Sequence, residues 1–144
     1  LSIGFYFDNK HNELKISNPR KNKIKLNKMK KRDLLSFEHN GFKIFVGRNH
    51  KENEEISFSK GHPTDIWMHV RDIPGSHVLI IRDNNPIDED TLMYAARIAG
   101  EYSKANKGDK ITVDYCERKF VKKIKNAKPG NVIYNNFRTL SFTL

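Results

Sequence analysis

The chain has 144 residues, enough for one domain whose core forms without disulfides or metal. Its 27 Lys and Arg against 17 Asp and Glu give a formal net charge of +10, which biases it toward polyanions such as nucleic acid or an anionic membrane and says nothing of fold. The single cysteine, Cys116, excludes an internal disulfide framework and fits a reducing cytoplasm, and no apolar run reaches the ~18 residues that cross a bilayer.

The first residues, Leu1-Ser2-Ile3-Gly4, lack an initiator Met and any signal-peptide pattern, as expected for a piece of a longer protein. Ile3 to Phe7 and Glu13 to Ile16 flank a polar stretch and read as a small hairpin or as the end of a preceding element. Pro19 to Arg32 holds eight basic residues in fourteen, no acid and few large apolar groups. Residues 1–33 are therefore expected to be a basic arm or linker, partly disordered, ahead of a domain at 34–144.

From Leu34 the texture changes. Leu34 to Glu38 and Phe42 to Val46 flank His39-Asn40-Gly41, and Asn-Gly between such runs predicts a hairpin. Asn49 with Glu52 predicts a capping box and a short helix to about Ser59, ended by Gly61 and Pro63. Asp65 to Arg71 and His77 to Arg82 predict a second hairpin through Asp72-Ile73-Pro74-Gly75-Ser76, where Pro then Gly suits a type II turn. Asp88 caps a longer helix with a core stripe of Leu92, Ala95, Ala96, Ala99 and Tyr102, closed by Gly108. Strands follow at Ile111 to Val121, Val132 to Tyr134 and Phe137 to Phe142, with turns at Pro129-Gly130 and Asn135-Asn136. The order ββαββαβββ predicts an α+β fold, a mainly antiparallel sheet with one short and one longer helix.

Alternation in strand 65–71 sends Ile66, Met68 and Val70 to the core and Asp65, Trp67, His69 and Arg71 to the other face. Indole, imidazole and guanidinium are planar groups on which splayed bases stack; the alternative is a Trp packed on the sheet with Arg71 paired to Asp72. Charge is segregated along the chain. Residues 34–117 carry ten basic and fourteen acidic side chains, and residues 118–144 carry seven basic and no acidic ones. Arg118, Lys119, Lys122, Lys123, Lys125 and Lys128, interrupted by the anchors Phe120, Val121 and Ile124, suit phosphate tracking, with Pro129-Gly130 supplying a stiff turn beside exposed amides. A solvated lysine face is the alternative.

His69, Asp72, Ser76 and His77 include the residue types of acyl transfer or metal-assisted cleavage, but there is no Gly-x-Ser-x-Gly elbow. Cys116 with His62, His69 and His77 matches no zinc spacing, and no phosphate-binding glycine loop is present. No catalytic residue, metal or cofactor is expected.

The run Gly41 to Asn49, then Asp65-Ile66-Trp67-Met68-His69-Val70-Arg71-Asp72-Ile73-Pro74-Gly75-Ser76-His77-Val78, then Val113-Asp114-Tyr115, Lys119 with Val121-Lys122-Lys123, and Ala127-Lys128-Pro129-Gly130 resemble the NFACT-R domain. Its family comprises ribosome-associated quality-control factors of the RqcH and NEMF types, often labelled fibronectin-binding proteins in bacteria. The resemblance implies a domain that helps hold tRNA on a large ribosomal subunit obstructed by a stalled nascent chain, supporting C-terminal tailing by ribosomal peptidyl transfer together with the remaining domains of the parent protein. It carries Trp67, His69, Arg71, His77, Lys119, Lys122, Lys123 and Lys128 as candidate RNA contacts; Arg118 and Lys125 join them on charge. Asp72, Pro74, Gly75, Ser76, Asp114, Pro129 and Gly130 are carried over as motif residues, with Asp114 expected to orient a base or a lysine. The family's other label implies an adhesin binding host matrix protein, and His69, Asp72 and His77 keep a nucleic-acid-processing enzyme open as a further alternative.

Overall fold

A computed structural model describes residues 2–4 and 33–144 of the chain. The expected basic arm, and all but the first residues of the expected N-terminal hairpin, lie outside the described residues. Strand β1 is Ser2–Gly4. Strands β2 (Leu35–His39) and β3 (Phe42–Val46) pair antiparallel from Leu35↔Val46 to His39↔Phe42. Asn40 and Gly41 between them both take positive φ, +49° and +84°, the geometry of a type I′ turn whose twist matches that of the strands.

Helix α1 (His50–Phe58) is capped by Asn49, whose side chain accepts from the Glu52 amide at 2.8 Å. Glu52 turns back one residue beyond the cap, accepting from the Arg48 amide at 3.0 Å and from its guanidinium at 2.8 Å. Strands β4 (Ile66–Val70) and β5 (Val78–Ile81) follow, then helix α2 (Glu89–Glu101), capped by Asp88 through the Thr91 amide at 2.9 Å. Strands β6 (Lys110–Glu117), β7 (Val121–Lys123), β8 (Val132–Tyr134) and β9 (Arg138–Thr143) complete the chain. The strands form a six-stranded sheet in the order β2-β3-β5-β4-β6-β9 and a three-stranded sheet in the order β1-β8-β7, antiparallel at each pairing. The fold is α+β, with one short and one longer helix.

Alternation along the strands divides the core into two. Ile44, Val46, Met68, Val70, Val78 and Ile80 pack under α2 with Ala95, Ala96 and Ala99. Phe45, Trp67 and Leu79 face the opposite way, onto Ile56 of α1 and Val121, Val132 and Tyr134 of the small sheet. The large sheet is therefore covered on both sides, so the alternative of a Trp67 packed on the sheet holds and the open base-stacking face does not form.

Several boundaries also differ from the sequence expectation. The second hairpin forms, but pairing stops at Met68↔Val78, and residues 71–77 make a long loop instead of a type II turn. Its left-handed residue is Asp72 (φ +60°), and Gly75 is not among the positive-φ glycines. Gly75 is needed for close approach: it bridges to Ser103, and a Cβ on it would fall 3.0 Å from that of Ser103. The Ser76 amide donates to the Tyr102 carbonyl and the Lys104 amide to that of Pro74. These bonds draw the chain off its helix at Glu101, so Gly108 (φ +97°) turns into β6 and does not close α2. The strand expected at Ile111 to Val121 breaks at a 3-10 turn, Arg118–Phe120. There the Arg118 and Lys119 amides donate to the carbonyls of Asp65 and Pro63, moving the chain from one sheet to the other. Asn136 (φ +52°) likewise turns the chain between sheets, β8 to β9, and does not close a hairpin.

Cys116 lies within this interior at 4% exposure. Burial, with Asp114 and Glu117 nearby, pushes its thiol up to about 12. It is expected to stay unlabelled by a thiol reagent at pH 8 in native buffer and to react on unfolding in guanidinium. Stoichiometric native labelling at the unfolded rate would show that this core is open.

Candidate nucleic-acid interface

Three of the expected RNA contacts are interior. Trp67, His69 and His77 are each 0% exposed. Trp67 Nε1 donates to Ser57 Oγ on α1 at 3.0 Å, and the same oxygen lies 2.7 Å from His77 Nδ1. The His77 amide donates to Oδ1 of Asn53, also on α1, at 3.0 Å. The rings of Trp67 and His69 stack at 6.1 Å, and Tyr134 sits 4.8 Å from the indole. No base reaches these faces in this structure, because α1 and the small sheet cover them. Ser76, 2% exposed, lies with them. The enzyme alternative loses its reactive surface for the same reason: His69 and His77 do not meet solvent.

The strand alternation that buries Trp67 and His69 brings Arg71 out at the end of β4. Its side chain is 36% exposed and that of its partner Asp114 is 0% exposed, with Nη2 2.7 Å from Oδ1. Nε also donates to both carboxylate oxygens, at 3.0 and 3.2 Å. Tyr134 donates its hydroxyl to Asp114 Oδ2 at 2.7 Å, and Phe137 packs 5.4 Å from the guanidinium carbon. Hydrogen bonding to Asp114 pushes the Arg71 pKa above its ordinary value. Asp114 thus orients an arginine, where the sequence reading expected a base or a lysine, and Arg71 pairs across the sheet with Asp114 and not with its neighbour Asp72.

The basic segment divides into structural and exposed cations. Arg118 donates to the carbonyls of Ser57, His62 and Gly61 at 3.1, 3.2 and 3.5 Å, closing the C-terminal end of α1, where orphan carbonyls collect. Lys123 Nζ lies 2.6 Å from Glu54 Oε2 and 5.2 Å from the centre of the Phe58 ring. Glu54 Oε1 accepts from the Gly130 amide at 3.2 Å. Burial pushes the Glu54 carboxyl up, but the hydrogen bonds from Lys123 and Gly130 and the nearby ammonium outweigh it and leave its pKa lowered. Gly130 is buried at φ +87°, with the His50 carbonyl 3.2 Å from where a Cβ would stand. Its amide is thus committed to the protein, which corrects the expected phosphate-binding turn. Lys119 sits 3.5 Å from Glu117. Lys122, Lys125 and Lys128 are exposed and have no ion pair among the described residues. Phe58, Pro63 and Val121, with Arg118, Lys119, Lys122 and Lys123, line a groove of ≈ 420 Å³.

The sequence profile of the NFACT protein RNA-binding domain matches residues 32–135. The chain belongs to this family. This NFACT domain is 45% identical over 103 residues to the Rqc2 homolog RqcH of Bacillus subtilis, covering 72% of this chain and 18% of that protein. It is 35% identical over 124 residues to the RqcH of Streptococcus pneumoniae, covering 86% of this chain and 22% of that one. The chain thus spans about a fifth of the length of these curated relatives. In structure it is similar to the C-terminal part of the fibronectin/fibrinogen-binding protein of Streptococcus suis, with a TM-score of 0.72, 35% identity, and coverage of 80% of this chain and 47% of that one.

Among the described residues of this RNA-binding domain, no helix is long and apolar enough to cross a membrane, and no three His, Cys, Asp or Glu side chains gather as metal ligands do. Sequence reading missed Glu54, Ser57 and Phe58, which couple α1 to the site. Their spacing in the short helix carries no motif; only the fold brings Glu54 to Lys123 and Ser57 to Trp67.

Proposed function

We propose that this NFACT domain grips tRNA on the large ribosomal subunit when a stalled nascent chain obstructs it, acting in the cytoplasm as one part of a longer quality-control factor. In that setting the grip supports C-terminal tailing, and the bond-making is the ribosome's peptidyl transfer, so the domain performs no chemistry of its own. Residues 34–144 form the binding unit, and the basic arm before them adds charge. The observation that carries this reading is the exposed row Lys122, Lys125 and Lys128, held on a packed strand and turn within an RNA-binding domain. Arg71, preset by Asp114, supplies a second cationic point on the α1 side of the large sheet. An adhesin reading rests on the name of one structural relative and on no feature of this surface.

Each lysine that neutralises a phosphate contributes about 0.7 to 0.9 to the slope of log affinity against log salt. Changing Lys122, Lys125 and Lys128 together to Gln in the full chain is expected to flatten that slope for tRNA by about 2 to 3. Between 50 and 200 mM salt the loss of affinity then shrinks by roughly 15- to 60-fold. Titrating tRNA at four salt concentrations checks this, and comparing variants within one chain cancels the arm's contribution. An unchanged slope would remove these lysines from the interface.

A further inference from the structure

The groove at the junction of α1 and β7 mixes two chemistries. Four cations line it, yet Phe58, Pro63 and the buried side of Val121 stand among them. Backbone phosphate needs only the cations; apolar surface between them gains when a flat, apolar ligand covers it. At ≈ 420 Å³ the groove lies within the range of about 300–1,000 Å³ that small organic groups fill. Arg118 is tied to the carbonyls of Ser57 and Gly61, so it serves as a fixed wall. Lys123, bonded to Glu54, holds its ammonium 5.2 Å from the centre of the Phe58 ring. Lys122 is exposed beside them, and Lys119 has a side-chain exposure of 49%.

We infer that this groove takes one unpaired nucleotide of the bound RNA, its base against Phe58 and Pro63 and its phosphate on Lys119 and Lys122. The inference rests on the RNA-binding reading above and narrows its substrate class: the site selects RNA with splayed or single-stranded positions over continuous duplex. Stacking on Phe58 and Pro63 does not distinguish one base from another, because every base presents a π-face. The stacking surface sought in the sequence at Trp67 is thereby supplied from α1.

The test uses the full chain with a fluorescent ten-nucleotide oligouridylate and a blunt RNA duplex of equal length, titrated at several salt concentrations. Phe58→Ala is expected to weaken binding of the single strand about 5- to 100-fold, to leave the duplex within twofold, and to keep the salt slope; Phe58→Trp retains single-strand affinity. Equal losses on both RNAs, or none on the single strand, overturn the inference while leaving RNA binding intact. Failure of the unaltered chain to bind either RNA at low salt overturns the RNA reading itself. If Phe58→Ala unfolds, seen as a reactive Cys116 thiol, photo-crosslinking of 4-thiouridine RNA to the unaltered chain decides. Adducts at Phe58 or within 119–123 support the groove, and their absence from both overturns it.

Discussion

Truncation of Trp67 to Ala is expected to lower the stability of the domain by about 3 to 5 kcal/mol, the cost of emptying a large buried site that cannot fully collapse. The indole is the largest fully buried side chain, and removing it also strips a donor from Ser57 of α1. For the protein that remains folded, tRNA affinity is expected to stay within about threefold, because the ring has no surface to offer a base. Denaturant melts, paired with titrations at low temperature, separate the two effects. A large loss of affinity at unchanged stability would restore Trp67 to the interface. Trp67→Phe keeps much of the volume and loses the hydrogen bond, so a smaller cost of about 1 to 2 kcal/mol follows.

Replacing Asp114 with Ala removes the acceptor shared by Arg71 and the Tyr134 hydroxyl. Breaking a buried pair typically costs about 3 to 5 kcal/mol because a charge is stranded. Here the stranded guanidinium is 36% exposed and can hydrate, so about 2 to 3 kcal/mol is expected. The effect on RNA is more diagnostic. With Asp114 gone, Arg71 keeps its charge and loses its orientation, so affinity should fall several-fold at an unchanged salt slope. Arg71→Ala removes the charge itself and should flatten the slope by about 0.7 to 0.9. If both variants bind tRNA as the unaltered chain does, Arg71 is a structural residue alone.

The sequence is legible where local physics decides the outcome. Asn40-Gly41 demands a turn with two left-handed residues, and Asn49 and Asp88 satisfy helix amides a few residues away. What alternation could not show was the second cover on the sheet. Trp67 and His69 read as an outward face because Ile66, Met68 and Val70 read as the inward one, yet the unbroken run Val78-Leu79-Ile80-Ile81 is what a strand buried on both faces looks like. The charge run was equally visible, but its division was not. Lys123 is held by Glu54 and Arg118 by carbonyls of α1 and the turn after it, partners far away in sequence. A family signature marks both Trp67 and Arg71 without saying that one anchors the interior and the other meets solvent.

Strand β7 ends the order of the small sheet, so among the described residues its outer edge presents backbone amides and carbonyls to any strand that passes. Lys122 and Lys123 stand on that edge, and a charged rim is how soluble proteins keep such edges from zipping together. The same two lysines are therefore expected to disfavour edge-to-edge pairing through β7. Neutralising Lys122 for a binding experiment loosens that guard, and the price of a cleaner salt slope is an edge less protected against pairing.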